Sequence, residues 1–232
     1  MADNLIKISA TGVAEFITAN PSSRPSKLRP FKFNKRGEGF GRSSYYQAAI
    51  SCIKKFHLAG RDENVTKKAM LELTAISTDK SLGKLLQVRA QRNIDAILAY
   101  MRIYGKRQFQ ILKNHRLSYN SKKLRITASP DLWVTEAGQE VLLKIGAARH
   151  RNPDEFVELL LHLIRKAAIS SGYKVRAKNV VYLDISIGQE RVAQKPLSFY
   201  NKALDWAGKE IAAEWSKLPA PPGYPSMPNP ES

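Results

Sequence analysis

The sequence is poor in the residues that build disulfides, zinc sites and membrane spans. Cys52 is the single cysteine among 232 residues, which excludes a disulfide within the chain. The four histidines, His57, His115, His150 and His162, are scattered, and none stands at zinc-ligand spacing from another or from Cys52. No apolar run is long enough to cross a bilayer. A disulfide scaffold, a zinc fold and a membrane-spanning protein are therefore not predicted.

Acidic residues are also scarce relative to basic ones. Asp and Glu number 20 against 38 Lys and Arg, which gives a formal net charge of +18 and a pI near 10.0. Such an excess is usually balanced by a polyanion, because neutralising phosphates releases counterions. Nucleic acid is thus the predicted partner. A membrane surface is not expected, since neither terminus carries a basic amphipathic helix.

Two features bear on the compartment. Residues 1–7 lack the features of a secretory signal. Cys52 sits among apolar residues at helical spacing, which is typical of a buried thiol in a reducing environment. A cytoplasmic protein is predicted.

The chain is predicted to form one domain over residues 1–217, followed by a flexible proline-rich tail over residues 218–232. A hydrophobic content of 43% is ample for a buried core at this length. The tail is dense in proline and is the place where a protein partner could bind.

The pattern of apolar residues changes at Gly105, from helical spacing to alternation. Helices are predicted over residues 9–20, 43–60, 63–77 and 82–104, the last with Leu85, Leu86, Val88 and Leu98 facing inward. Beyond Gly105, strands are predicted over 108–113 and 116–119 as a first hairpin, 124–135 and 140–148 as a central one, and 179–187, with helices over 154–171 and 196–215. This order predicts an α+β fold, a helical N-terminal half followed by a mainly antiparallel central sheet flanked by helices.

Residues 21–42 are rich in Pro, Gly and Ser, and are predicted to form a basic loop. Phe31, Phe33 and Phe40 are interleaved with its basic residues. Basic side chains can hold phosphates while aromatic ones stack on unpaired bases; a solvated loop with buried Phe residues is an equally favoured alternative. The residues predicted to bind nucleic acid are Arg24, Lys27, Arg29, Lys32, Lys35, Arg36 and Arg42, together with Arg149 and Arg151 just after the central hairpin.

Residues 126–146 predict a β-hairpin around which the other elements are arranged. If Ala137-Gly138 is the tight turn, Glu136 pairs with Gln139 and Asp131 lies opposite Lys144. Because side chains alternate along a strand, one face is core and the other could carry a site. The core face holds Leu132, Val134, Val141, Leu143 and Ile145, and the other Asp131, Trp133, Thr135, Glu140, Leu142 and Lys144. The pair could also be a simple cross-strand ion pair of roughly 0.2–1 kcal/mol.

The element order, with Pro130-Asp131 entering one arm and Lys144 in the other, resembles the PD-(D/E)XK nuclease superfamily, in particular its RecB-type branch. Residues 8–17, Ile-Ser-Ala-Thr-Gly-Val-Ala-Glu-Phe-Ile, are similar to the entry helix of that branch. Residues 180–184, Val-Val-Tyr-Leu-Asp, are similar to its closing strand. The resemblance covers residues 8–190 and implies a restriction-endonuclease-like fold.

The resemblance also implies a Mg or Mn site for phosphodiester hydrolysis, with Asp131 on the metal and Lys144 orienting or activating the attacking water. The family's second acid stands two residues before the lysine, where this chain has Leu142, which cannot bind a metal. Glu140 shares the face of Lys144, yet four residues along a strand span roughly 13 Å. The candidate catalytic residues are Asp131, Lys144 and Glu140, and the candidate metal ligands are Asp131, Glu158 and Asp184.

Leu142 favours a nucleic-acid-binding protein, with DNA as the expected partner, on a nuclease-like fold that has an incomplete metal site and does not cleave. One alternative is an active Mg-dependent DNA nuclease with a migrated acidic ligand. Another is a basic adaptor that binds a protein partner through its proline-rich tail.

Overall fold

The computed structural model describes residues 5–33, 45–113, 115–121, 123–147 and 152–220. These residues form seven α-helices and eight β-strands in two mixed sheets, which confirms the α+β class. The helices are α1 (Ala10–Thr18), α2 (Arg24–Lys32), α3 (Gln47–Leu58), α4 (Glu63–Thr78), α5 (Lys84–Tyr104), α6 (Asp154–Ser170) and α7 (Asn201–Lys217). The strands are β1 (Ile6–Ser9), β2 (Gln110–Ile111), β3 (Leu117–Ser121), β4 (Leu124–Ala128), β5 (Leu132–Glu136), β6 (Gln139–Gly146), β7 (Val180–Asp184) and β8 (Gln189–Val192).

The larger sheet has the order β2-β5-β6-β7-β8 and contains the predicted hairpin. Strands β5 and β6 are antiparallel with Glu136 opposite Gln139. Ala137 and Gly138 both have positive φ, 48° and 73°, as a type I′ turn requires. The predicted turn and register are confirmed.

Strand β7 also joins this sheet, parallel to β6, with Leu142 opposite Val180. Helix α6 makes the connection from β6 to β7, as parallel neighbours require a crossover. Strand β8 then pairs antiparallel with β7. The sequence did not predict β8, because Gln-Glu-Arg-Val has no apolar alternation.

The smaller sheet has the order β1-β4-β3, and it separates strands that were expected to belong together. Residues 124–135 were predicted as one arm of the central hairpin, but the arm breaks at Pro130 and its halves, β4 and β5, lie in different sheets. Proline cannot donate to a strand ladder. The predicted first hairpin is wrong as well, since β2 pairs with β5 while β3 pairs with β4.

Both faces of the larger sheet are covered. The predicted core face of the hairpin packs with α3 and α5 in one hydrophobic cluster, which includes the buried thiol of Cys52; burial raises the pKa of that thiol. On the other face, Trp133 and Leu142 are each only 2% exposed and pack with α1 and α6 in a second cluster. The expectation that this face is open for a site is therefore wrong over most of its length.

Helix α5 turns a different side inward from the one its large apolar residues predict. Its buried positions include Ala90, Asn93 and Ile97, and the Asn93 side chain accepts the Ala49 N–H at 2.9 Å. Small and polar residues allow α5 to lie close to α3, which the count of large apolar residues cannot indicate. The residues predicted inward but exposed are Leu85, Leu86, Val88 and Leu98.

Part of the predicted basic loop is helical, since α2 covers Arg24–Lys32. Leu28 is fully buried, and Phe31 packs against Gly12 of α1. The Lys32 ammonium donates to the backbone carbonyls of Trp215 and Leu218. Leu218, predicted to belong to the flexible tail, is itself buried. In the described part of the chain, no helix has the length and apolar character needed to cross a membrane.

Candidate functional site

Asp131 and Lys144 meet across the hairpin as the register predicts. Lys144 Nζ lies 2.8 Å from Asp131 Oδ1, and the two side chains are 18% and 12% exposed. The second carboxylate oxygen, Oδ2, accepts the Ile145 N–H at 2.8 Å. The Asp131 N–H donates to the Leu143 carbonyl. Both oxygens of Asp131 are therefore engaged, and the residue fastens the chain where β5 begins.

Tyr182 lies next to this pair, opposite Lys144 in the β6–β7 register. Its phenol covers Gly146, where any Cβ would overlap the Tyr182 hydroxyl. The Asn152 side-chain amide donates to that hydroxyl, and burial raises the pKa of Tyr182 to about 12. A neutral phenol thus occupies the position on β6 that separates Asp131 from β7.

Asp184 ends β7, opposite Gly146, and belongs to the same face as Lys144 and Tyr182. Its Oδ1 accepts the backbone N–H and the hydroxyl of Ser186. Its Oδ2 lies 3.3 Å from the Arg191 guanidinium. We call the end of the sheet defined by Asp131, Lys144, Tyr182 and Asp184 the carboxyl edge, since β6 and β7 end there.

Arg191 holds the carboxyl edge together. Its guanidinium stacks over the Tyr182 ring at 5.4 Å and pairs with Asp154 at 2.6 Å. Sequence reasoning missed Arg191, Tyr182 and Asn152. The resemblance placed residues 180–184 in the closing strand, so the position of Tyr182 next to Lys144 could have been inferred from a parallel register; nothing in the sequence indicated the other two.

The remaining candidate acids lie elsewhere. Glu140 accepts the Trp133 indole N–H at 3.2 Å. Glu158, on α6, accepts the backbone N–H groups of Gln194 and Lys195 at 2.8 and 3.0 Å. Across the described ranges, no group of three His, Cys, Asp or Glu side chains could hold a metal ion. The acids of the carboxyl edge thus do not fit a Mg or Mn site in this arrangement.

The predicted basic residues divide into two groups. The Arg24 guanidinium stacks over Trp206 at 4.7 Å, and Lys32 is bonded to backbone carbonyls, so both support the fold. Lys27 is half-buried and Arg29 is exposed on α2, where phosphate can reach them. Five predicted residues lie outside the described ranges, namely Lys35, Arg36, Arg42, Arg149 and Arg151.

Comparison with known proteins gives no family assignment. No protein-family model matches the chain, and a search of curated proteins finds no match. The functional argument therefore depends on the geometry of the described residues and on the charge of the sequence.

Proposed function

We propose that this protein binds nucleic acid, with DNA as the expected partner, and does not cleave it. The observation that carries this proposal is the Tyr182 phenol over Gly146, which fills the space between Asp131 and Asp184. Each of these acids is neutralised by a cation, Asp131 by Lys144 and Asp184 by Arg191. A hydrolytic site would need their oxygens for hard metal ions.

The order of elements supports a PD-(D/E)XK-like scaffold for this function. The hairpin, helix and strand that resemble the superfamily correspond to β5–β6, α6 and β7, with β7 parallel to β6. In the sequence, Arg149 and Arg151 follow β6 directly, at the end where the superfamily places its site. A cytoplasmic location is part of the proposal and is supported by Cys52, a buried unpaired thiol.

We expect labelled single- and double-stranded DNA and RNA to be retained by the protein and to remain intact in EDTA, magnesium or manganese. Retention should weaken steeply as salt rises, because each phosphate contact releases counterions. Filter binding and denaturing gels of the same samples measure the two outcomes. Metal-dependent cleavage by the wild type that is lost in Lys144→Ala would overturn the proposal in favour of a nuclease, and no retention at moderate salt would remove nucleic-acid binding altogether.

The exposed side of α2 provides a second test. In Lys27→Ala/Arg29→Ala, we expect weaker retention and a salt dependence reduced by about 0.9 per lost phosphate contact on duplex DNA, with unchanged stability. Lys32→Ala should instead lower the free energy of unfolding, since it removes the bonds to Trp215 and Leu218. Salt titrations and urea unfolding separate the two effects. An unaltered salt slope in the double variant would remove α2 from the binding surface.

One observation favours the alternative of an active nuclease, namely that Asp131, Lys144 and Asp184 share one face and one edge of the sheet. Cleavage would then require the Tyr182 ring to leave Gly146. Under this alternative, Tyr182→Ala should cleave faster than wild type with manganese, whereas the proposed function expects no cleavage from either protein.

A further inference from the structure

At the opposite end of the larger sheet, a basic segment runs from Tyr173 to Lys178, between α6 and β7. Exposed and half-buried residues alternate along it. Val175 and Ala177 are packed against the hydrophobic cluster that contains Trp133. The alternate positions, Lys174, Arg176 and Lys178, are exposed. The packing of the apolar residues therefore presents three cations side by side to solvent.

Three aromatic rings lie beside this segment. Tyr173 and Trp133 meet edge to face with ring centroids 4.6 Å apart. The His115 ring lies 5.6 Å from Tyr173 and 5.4 Å from Trp133. His115 is exposed and Tyr173 is half-buried, whereas Trp133 is almost fully covered. His115 and Tyr173 thus offer ring surface to a ligand, and Trp133 supports them from below.

The rings and cations border a cleft of about 440 Å³ that is lined by Trp133, Glu140, Leu142, Tyr173 and Arg176, among others. Its volume falls within the range of roughly 300–1,000 Å³ that is usual for ligand sites. Glu140 is fixed in the wall by two bonds: its carboxylate accepts the Trp133 indole N–H, and its backbone carbonyl accepts the Asn179 amide. The interior of the cleft therefore combines aromatic surface with one hydrogen-bond acceptor, while the cations stand at its rim.

We infer that this cleft binds an unpaired nucleobase of single-stranded nucleic acid, with Lys174, Arg176 and Lys178 on the flanking phosphates. The inference rests on the proposed nucleic-acid binding and adds a strand preference and a second site, remote from the carboxyl edge. Single-stranded binding combines a basic track with aromatic rings on which bases stack. A paired base would first have to leave its duplex to reach Tyr173. The acid in the cleft, Glu140, faces a base rather than a phosphate.

The cations are tested by neutralisation at matched sites. Lys174→Gln/Arg176→Gln/Lys178→Gln and the control Lys68→Gln/Lys80→Gln/Lys84→Gln each remove three charges from exposed residues, taking the net charge from +18 to +15. Each phosphate contact on a single strand contributes about 0.7 to the slope of log affinity against log salt. We expect the slope for a single-stranded oligonucleotide to fall by about 2 in the first variant and to change little in the control.

The ring is tested at Tyr173. Loss of one stacked base weakens binding by roughly tenfold or more, so Tyr173→Leu should bind single strands at least that much more weakly, whereas Tyr173→Phe should retain wild-type affinity. Thermal unfolding checks that both variants are folded. If Tyr173→Leu does not fold, His115→Leu tests the same stacking at an exposed ring, with the same expected loss.

The outcomes separate this inference from the proposed function. Wild-type retention of nucleic acid with no effect of the Lys174 triple variant or of Tyr173→Leu overturns the cleft and leaves the proposed function standing. No retention by wild type removes both. Equal affinity for duplex and single strand overturns the strand preference. Displacement of the oligonucleotide by poly-glutamate at equal charge concentration, with no dependence on Tyr173, would assign the site to acidic polypeptides instead.

Discussion

Leu142→Glu is expected to cost several kcal/mol of stability and to yield no nuclease, although it places an acid two residues before Lys144. Leu142 is 2% exposed, packs in the cluster of α1 and α6, and lies opposite Val180 on β7. A carboxylate buried there without a partner costs several kcal/mol, out of a typical total of about 5–15 kcal/mol. Urea unfolding followed by circular dichroism measures the loss, and cleavage assays with manganese measure activity.

Two matched variants calibrate this experiment. Leu142→Met keeps the volume and should cost less than about 1.5 kcal/mol, whereas Leu142→Ala leaves a cavity and should cost about 2–5 kcal/mol. A folded Leu142→Glu protein that cleaves DNA with magnesium would contradict the expectation. It would also show that the Tyr182 ring is not fixed over Gly146.

Acidification below neutral pH is expected to destabilise the protein through two histidines. His57 and His162 are 5% and 1% exposed, and burial, with a smaller contribution from nearby cations, lowers the pKa of each to about 4. A histidine in the unfolded chain has a pKa near 6.5, so the unfolded state binds more protons between these values. Stability is complete above the unfolded pKa and is lost as pH falls towards the folded one, by about 2 kcal/mol per histidine from pH ~7.5 to pH ~5.

Urea midpoints measured at several pH values check this expectation. His57→Gln/His162→Gln should flatten the pH dependence in that window; the glutamine at position 57 can still bond to the Tyr100 hydroxyl, which lies 2.8 Å from His57 Nε2. His115→Gln removes an exposed histidine and controls for the loss of an imidazole in itself. An equal pH slope in the double variant and in wild type would contradict the assignment.

The hairpin was predictable because its determinants are local. The turn at Ala137-Gly138 and the alternation along both arms fix a single register, and that register alone brings Asp131 to Lys144. Helices α3, α4 and α5 were located from their spacing for the same reason, although the orientation of α5 was not. That orientation depends on how closely α3 approaches, which a residue such as Asn93 decides.

Other features depend on contacts between distant parts of the chain, and local patterns carry no information about them. Helix α2, with proline at positions 25 and 30, has the composition of a loop and is held by Gly12, Trp206 and the last turn of α7. The resemblance directed attention to Asp184, but the cation that neutralises it, Arg191, follows on a strand that was not predicted. The chemistry of the carboxyl edge was thus visible in sequence only as a list of acids.

The bonds from Lys32 to the end of α7 also set an order of events during synthesis. Lys32 and Leu218 are 186 residues apart, and a ribosome that adds roughly 5–20 residues per second needs on the order of 10–40 s to cover that distance. Helix α2 therefore leaves the ribosome long before the carbonyls that fasten it exist. Its basic residues spend that interval on a nascent chain beside ribosomal RNA, and only the nearly complete polypeptide can lock them into the fold.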